Sequence, residues 1–419
     1  MTTTGWLSPT LEQLWNISQQ WRVYILSGVI VSYLYLVRLL RYRRRDNLPK
    51  KLRLEDRASF SRMTIEEAHS ILLLLVDQEF PTILHTSLFF ALFKTYGIPS
   101  ISELLVATGQ FAGPCAASKR AADTGVLLRE IVLNKVGSDR STDGIARMNY
   151  LHSRYRKSSK ISDNDMLYTL SLFALEPVRW VGRYEWRELT DLERCALGVF
   201  WKDLGEAMEI PYDALRPGED GFRDGLHWME QINQWSLRYE KKYMDPAPTN
   251  AKLLASTMDV ALFYVPVMFR GVAEKLISTL LEPRLRIAMM IDDPPASYER
   301  FLKLVTSIRK LIIRHLCLPT PYFRRWRILS KKPDPKTGNL HNLYYRAHPW
   351  YVKPTISARW KLRSWVIWLI GGVLPGDEGS RYHPEGYHIP SVGPEGLQGK
   401  GEEEMESTRR ALAARRQHE

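Results

Sequence analysis

TDLERCALGVFWKDLGEAM, residues Thr190 to Met208, carries its own fold instruction. Thr190 and Glu193 are spaced as a capping box, in which a hydroxyl and a carboxylate each satisfy an orphan amide at a helix start. Leu192, Cys195 and Val199 then recur at helical spacing, with Ala196 and Phe200 beside them. The same signal recurs along the chain. Thr64 and Glu67 open IEEAHSILLLLVDQEF, and Ser100 and Glu103 open SELLVATGQF. Ser162 precedes the run MLYTLSLFAL, and Ser297 precedes FLKLVTSIRKLIIRHL. Strand-like alternation bounded by hairpin turns is scarce. Ile65 to about Leu316 is read as one all-α domain of roughly ten helices.

The bulk composition agrees with a folded body. Among 419 residues, 45% are hydrophobic and 25% charged, enough for a sizeable core. The net charge of +13 calls for a polyanionic partner, either nucleic acid or an anionic membrane surface. Cys115, Cys195 and Cys317 are odd in number and contain no Cys-x-x-Cys pair, which argues against a disulfide framework or a zinc site.

The position of the charge decides the partner. VYILSGVIVSYLYLV, Val23 to Val37, is uncharged, and Leu39 and Leu40 extend it past Arg38. That length is about the minimum that spans a hydrocarbon core. Arg41, Arg43, Arg44, Arg45, Lys50, Lys51 and Arg53 follow it. A secretory leader has the reverse order, with positive charge first. The positive-inside rule puts the N-terminus outside and the body in the cytoplasm. The basic cluster is read as a juxtamembrane segment facing anionic lipid. No zinc finger or RNP-type strand speaks for nucleic acid. Asn16-Ile17-Ser18 is a glycosylation sequon on the outer side.

The expected organisation is a short lumenal segment (1–21), a transmembrane helix (22–41), a basic linker (42–60) and the helical catalytic domain (61–318). A loop-rich arm (319–393) and a charged, extended or frayed tail (394–419) follow. The arm interleaves Trp350, Trp360, Trp365 and Trp368 with Lys353, Arg359, Lys361 and Arg363. Trp365 to Leu374 is too short to span, so the arm either lies at the headgroup boundary or packs on the body.

Rossmann, Walker A, zincin and α/β-hydrolase motifs are absent. His383-Pro-Glu-Gly-Tyr-His388 reads as a plain surface loop. The segment GIARMNYLHSRYRK, Gly144 to Lys157, is more telling. Ile145, Met148, His152 and Tyr155 share one helical face, flanked by Arg147, Arg154 and Arg156. A neutral imidazole there is able to bind haem iron, with arginines for the propionates. An isolated buried histidine is more often a satisfied core residue. On a second helix, around Ser118 to Leu133, Arg120 and Thr124 lie four apart. They are candidates to line an oxygen pocket, or an exposed arginine beside a back-bonded threonine.

These two helices carry a family resemblance. Together with FALFKTYGIPSIS (90–102), TGQF (108–111), KRAADT (119–124), ARMNYLHS (146–153), MLYTLSLFALEPVRW (166–180), GVFWKDLGEAM (198–208), KYMDPAP (242–248) and PGDEGSRYHPEGYHI (375–389), they make nearly the whole chain similar to the fungal ER-bound oxygenases of mycophenolic acid biosynthesis. The wider family shares the catalytic domain of bacterial rubber oxygenase, the latex-clearing protein. The resemblance implies haem b held through His152 as proximal ligand, Arg120 and Thr124 as catalytic residues, and Arg156 as a family arginine one turn on. Arg147 joins Arg156 as a cofactor-binding candidate. Two departures stand out: the relatives' distal lysine falls on Asp123, and their catalytic glutamate has no firm counterpart, Glu103 being close in spacing.

The implied function is dioxygen-dependent cleavage of a carbon–carbon double bond in the prenyl side chain of a lipophilic meroterpenoid intermediate, by a single-pass protein of the endoplasmic reticulum membrane with a lumenal N-terminus. Other pathway enzymes are further candidate partners. Two alternatives stand beside it: a tethered helical scaffold that delivers a prenylated intermediate without redox chemistry, and an oxygenase with a non-haem iron centre.

Overall fold

The computed structural model describes residues 11–216, 221–325 and 327–418, apart from the side chains of 11–18 and of 418. Residues 1–10 of the expected lumenal segment and the side chain of Asn16 lie outside the described residues. Among those described there are α-helices and short 3-10 and π turns but no strand. Two isolated antiparallel bridges, Leu329 to Asn342 and Leu340 to Tyr387, are the whole of the extended pairing.

In chain order the helices are α1 (Leu11–Leu52), α2 (Ile65–Leu74), α3 (Pro81–Thr95), α4 (Pro99–Ala107), α5 (Pro114–Leu133), α6 (Asp139–Lys157), α7 (Asp163–Tyr184) and α8 (Asp191–Ala207). They continue as α9 (Gly225–Tyr243), α10 (Pro248–Ala261), α11 (Val267–Leu280), α12 (Pro283–Ala288), α13 (Ala296–Leu316), α14 (Ile356–Trp360), α15 (Leu362–Leu369) and α16 (Glu402–His418). The capping boxes at Thr64 and Thr190 are both closed, and Ser162 caps α7 by accepting from the Asp165 amide. The box expected at Ser100 does not form. Pro99 already occupies the first turn of α4, which frees Ser100 to donate to Asp165 Oδ1 at 2.9 Å and leaves Glu103 exposed. Likewise α13 starts at Ala296 behind Pro295, so Ser297 lies inside it.

The core is built on α7, α8 and α9 with α2 and α3 around them. Trp201 on α8 and Trp228 on α9 are essentially inaccessible. Glycine sets the closest crossing: a Cβ on Gly198 would stand 2.0 Å from the carbonyl oxygen of Gly225. A polar knot lies inside the packing. Lys94 on α3 reaches Glu240 at 2.9 Å, Glu282 at 2.8 Å and Glu176 at 3.5 Å. Cys195 is buried, and all three cysteines are free thiols.

α1 is long and apolar enough to cross a membrane, and almost none of its spanning stretch is buried. The pair α3 and α4, bent by 91°, is also apolar. The basic linker expected after the span continues α1 as helix to Leu52. Its last turns are docked rather than free: Tyr42 meets Trp186 edge-on at 5.3 Å, and the Arg41 guanidinium sits 5.0 Å from the same indole.

The arm divides. Trp350 and Tyr351 are buried on the body, whereas Trp360, Trp365 and Trp368 are exposed. The expected extended or frayed tail is largely α16, because α6 and α8 offer it partners. Arg409 pairs with Asp143 at 2.7 Å, and Arg415 reaches Asp203 at 2.8 Å and Glu206 at 2.6 Å.

Candidate active site

α3, α5, α6, α7 and the buried part of the arm enclose a cavity of about 460 Å³. That falls within the range of small-molecule sites, and the wall is mostly apolar, as such sites are. Met148, His152 and Tyr155 of α6 line it, as their shared helical face predicts, while Ile145 turns into the core. Gly144 lets α6 lie close on α5, since a Cβ there would stand 2.9 Å from Ile131.

His152 is the unusual member of this wall. Its Nδ1 is buried with no hydrogen-bond partner among the described residues. Burial, with Arg120 and Arg156 nearby, pushes its pKa down to about 4, so the ring is a neutral base at neutral pH. His69 shows what a structural histidine looks like in the same fold. Its Nε2 is 2.9 Å from the Val132 carbonyl and its ring stacks on Phe200 at 5.7 Å. Buried polar atoms are nearly always paired, so an orphaned imidazole beside a cavity points to a partner from outside the chain.

Arg120 and Thr124 line the same cavity on α5. Arg120 donates to the Thr124 hydroxyl, which itself donates to the Arg120 carbonyl at 2.9 Å. Thr124 is therefore back-bonded, as one of the two descriptions open from sequence has it, while Arg120 is half-buried on the cavity wall and not exposed. A cation and a hydroxyl are pre-oriented as one unit on the cavity wall.

Arg147 and Arg156 are placed elsewhere, and neither lines the cavity. Arg147 is buried and donates to three carbonyls of the C-terminal segment, Val392 at 2.8 Å, Leu397 at 2.8 Å and Lys400 at 3.0 Å. Arg156 donates to Met208 and Glu209 carbonyls at 3.2 and 2.9 Å and pairs with Asp163 at 3.0 Å. These bonds occupy both guanidiniums, so propionate contacts are not assigned to them.

Arg129, Arg346 and the exposed Lys160 also line the cavity, and all three escaped the sequence reading. Arg129 and Arg346 make no ion pair with the described residues, and Arg346 lies 4.4 Å from the Phe89 ring. Burial and the neighbouring Arg346 lower Arg129 to about 10. His85, on α3, is driven to about 3 by burial and by both arginines. Arg129 is nine residues from Arg120, about two and a half turns, which a helical wheel puts on the opposite side. Only the curvature of the cavity around α5 brings both in. Arg346 sits in a loop, where no periodicity exists to find it.

Asp123, at the position of the relatives' lysine, has another task. It is buried, pairs with Lys119 at 2.9 Å and accepts from the Tyr351 hydroxyl at 2.6 Å. Seven residues on, buried Glu130 accepts from Tyr387 at 2.5 Å and pairs with Arg140 at 2.6 Å. One face of α5 thus clasps the arm with two carboxylates while another faces the cavity. The carboxylates on the wall, Asp123 and Asp165, are both held by hydrogen bonds; Asp165 accepts from Tyr239 at 2.7 Å and Ser162 at 2.8 Å. Glu103 is exposed and does not line the cavity. No group of three His, Cys, Asp or Glu among the described residues is arranged to hold a metal ion.

A helical body with one helix long and apolar enough to cross a membrane, and a cavity lined by an unpartnered neutral histidine, is the class that fold and site define. Comparison with known proteins is specific. The chain is 40% identical over 388 residues to the ER-bound oxygenase mpaB' of Penicillium brevicompactum, covering 93% of this chain and 92% of that one. It is 40% identical to the ER-bound oxygenase mpaB of the same organism, over 86% of each chain. It is 44% identical to the mpaB of Penicillium roqueforti, over 69% of this chain and 96% of the relative. No family model matches the chain. The chain belongs to the family of ER-bound oxygenases of the mpaB type.

Proposed function

We propose that this chain is a haem-dependent oxygenase that cleaves a carbon–carbon double bond in the prenyl, farnesyl-type side chain of a lipophilic intermediate in meroterpenoid biosynthesis. The observation that carries the reading is His152: a neutral imidazole, without a partner, on the wall of a mostly apolar cavity. The residues present fit a haem. His152 supplies one nitrogen ligand, and Arg129, half-buried, and Arg346, more exposed, are cations on the cavity wall able to meet carboxylates. A non-haem centre would need further ligands converging near His152, and none converge among the described residues.

When bound, the haem supplies a redox-active iron that activates dioxygen. The chain's own residues do the rest. The apolar wall takes up the isoprenoid tail, whose transfer from water is worth about 0.8 kcal/mol per buried CH₂. Arg120 and Thr124 hold N–H and O–H donors in fixed positions for the reacting oxygen. The arm, clasped on α5, forms one side of the cavity. The reaction balances without an electron donor: one dioxygen and one C=C become two C=O groups. The alkene carbons are oxidised and each oxygen atom ends in one product. A family of ER-bound relatives and the apolar α1 support a body tethered to the ER membrane. The basic residues after the span support a lumenal N-terminus and a cytoplasmic body.

The absorption spectrum of the detergent-solubilised full chain tests the assignment, with His152→Ala beside it. A Soret band in the wild type that is lost in the variant supports it. A band unchanged by the substitution removes His152 as ligand, and a wild type without band or metal favours the scaffold reading.

A further inference from the structure

α13 is an amphipathic helix turned inside out. None of its residues is buried, yet Phe301, Leu304, Ile308 and Ile312 form an exposed apolar stripe at spacings of three and four. Lys303, Lys310 and Arg314 fall about half a turn away. α11 packs on α13 and extends the stripe with Val267, Met268 and Phe269, Val267 being 81% exposed. Next to α11, Tyr264 packs against Gly372 and Ile367 at the end of α15, whose Trp368 and Leu369 are again exposed. Soluble monomers rarely carry contiguous apolar patches of this extent.

The occupant is identified by how this face joins α1. The Tyr33 hydroxyl donates to the Leu316 carbonyl at 2.8 Å, Arg41 to the Ile313 carbonyl at 2.6 Å and Arg44 to the Thr320 carbonyl at 2.6 Å. Tyr33 lies seven residues inside Leu40, roughly 10 Å into the apolar run at 1.5 Å per residue. Helical side chains lean toward the N-terminus, which is further inward. The C-terminal end of α13 therefore sits at hydrocarbon depth. A helix end there needs its orphan carbonyls satisfied by protein, since lipid offers no donors. Side chains of α1 do this at Ile313 and Leu316.

We propose that the α13, α11 and α15 face is embedded in the leaflet from which α1 emerges, so that the body is a monotopic unit seated in the bilayer as well as tethered to it. The stripe enters the acyl boundary, and Lys303, Lys310 and Arg314 on the opposite, polar face of α13 add attraction to an anionic leaflet. Charge and continuity both favour lipid over a protein partner. The seating also places the cavity next to lipid. Tyr345, on the cavity wall, clusters with Ile367 of α15, and Arg363 of α15 donates to the Tyr345 carbonyl and covers its ring at 4.8 Å. The proposal rests on α1 as a span and not on the haem.

The test uses the full chain in nanodiscs of phosphatidylcholine and phosphatidylserine. An environment-sensitive fluorophore is attached at Ile308→Cys, Phe269→Cys or Trp368→Cys, each with Cys115→Ser and Cys317→Ser. Asp191→Cys, on an exposed turn of α8, is the control. Loss of most emission to a lipid-borne quencher at the three face positions, with iodide quenching the control alone, is the expected result. Iodide quenching at the face equal to the control overturns the proposal. Protection from both quenchers also overturns it, because a protein then covers the face. The four labelled positions are exposed, and Cys115 and Cys317 are only partly buried, so the fully buried core is untouched. In addition, amide exchange of the unsubstituted chain is expected to slow along α11 and α13 on transfer from detergent-free aggregates into nanodiscs; unchanged exchange counts against embedding.

Discussion

His152 and His69 are both held within the helical body, and their chemistry is set by what stands opposite each nitrogen. His69 has the Val132 carbonyl. His152 has a cavity. In cofactor-free protein, replacing a satisfied histidine strands a buried carbonyl, which costs about 1–3 kcal/mol. Replacing an unsatisfied one strands nothing. His152→Leu is therefore expected to leave the melting temperature of the cofactor-free chain unchanged or raised, and His69→Leu to lower it. The pH dependence follows the same residue. A folded pKa of about 4 against an ordinary 6.5 means that the unfolded chain binds more protons between those values. Stability is complete above pH 6.5 and declines as pH falls toward 4. In urea titrations His152→Leu is expected to flatten that decline; an unaltered slope would contradict the burial of the imidazole.

Elements here meet through two opposite devices, bare backbone and buried charge. The α8 to α9 crossing has no room for a methyl, because the opposing atom at Gly198 is a main-chain oxygen that cannot rotate away. Gly198→Ala is expected to destabilise by roughly 1–3 kcal/mol or more, as overpacking does, visible as a lower denaturant midpoint. At the other extreme, Lys94 serves three carboxylates. Burial alone would raise the pKa of Glu282, but Lys94, Arg179 and Arg183 outweigh it and hold the carboxyl at about 2. That contribution is present above pH 4.5 and is lost as pH falls toward 2. Lys94→Met removes the cation and leaves buried Glu240 without an ion pair among the described residues, while Glu176 and Glu282 keep Arg179 and Arg183, with an expected cost of about 3–5 kcal/mol. The loss should be smaller when measured at low pH, where the acids are protonated.

For the molecule as a whole, Arg147 does what a cofactor contact would not. It ties the C-terminal segment to the helix that carries His152, using three main-chain carbonyls. Arg147→Leu is expected to lower stability by about 2–5 kcal/mol, with three acceptors left unpaired at about 1–3 kcal/mol each before relaxation. Under the proposed haem assignment, the Soret band per folded molecule should persist. A normal melting temperature with a lost band would instead put Arg147 at the cofactor.

Residue order by itself determined the helical class, the capped starts at Thr64, Ser162 and Thr190, the apolar α1 and the face of α6 that carries Met148, His152 and Tyr155. These are local matters: a period of 3.6, a hydroxyl three residues from an amide, an uncharged run of sufficient length. Only the tertiary structure decided which cations face the cavity, because Arg129 and Arg346 arrive from the far side of a helix and from a loop, while Arg147 and Arg156 find carbonyls first. It also decided that Asp123 clasps the arm, that residues 402–418 form a helix against acids on α6 and α8, and that α13 shows its apolar side outward. Each of these depends on which distant group supplies the partner, and sequence spacing carries no record of that.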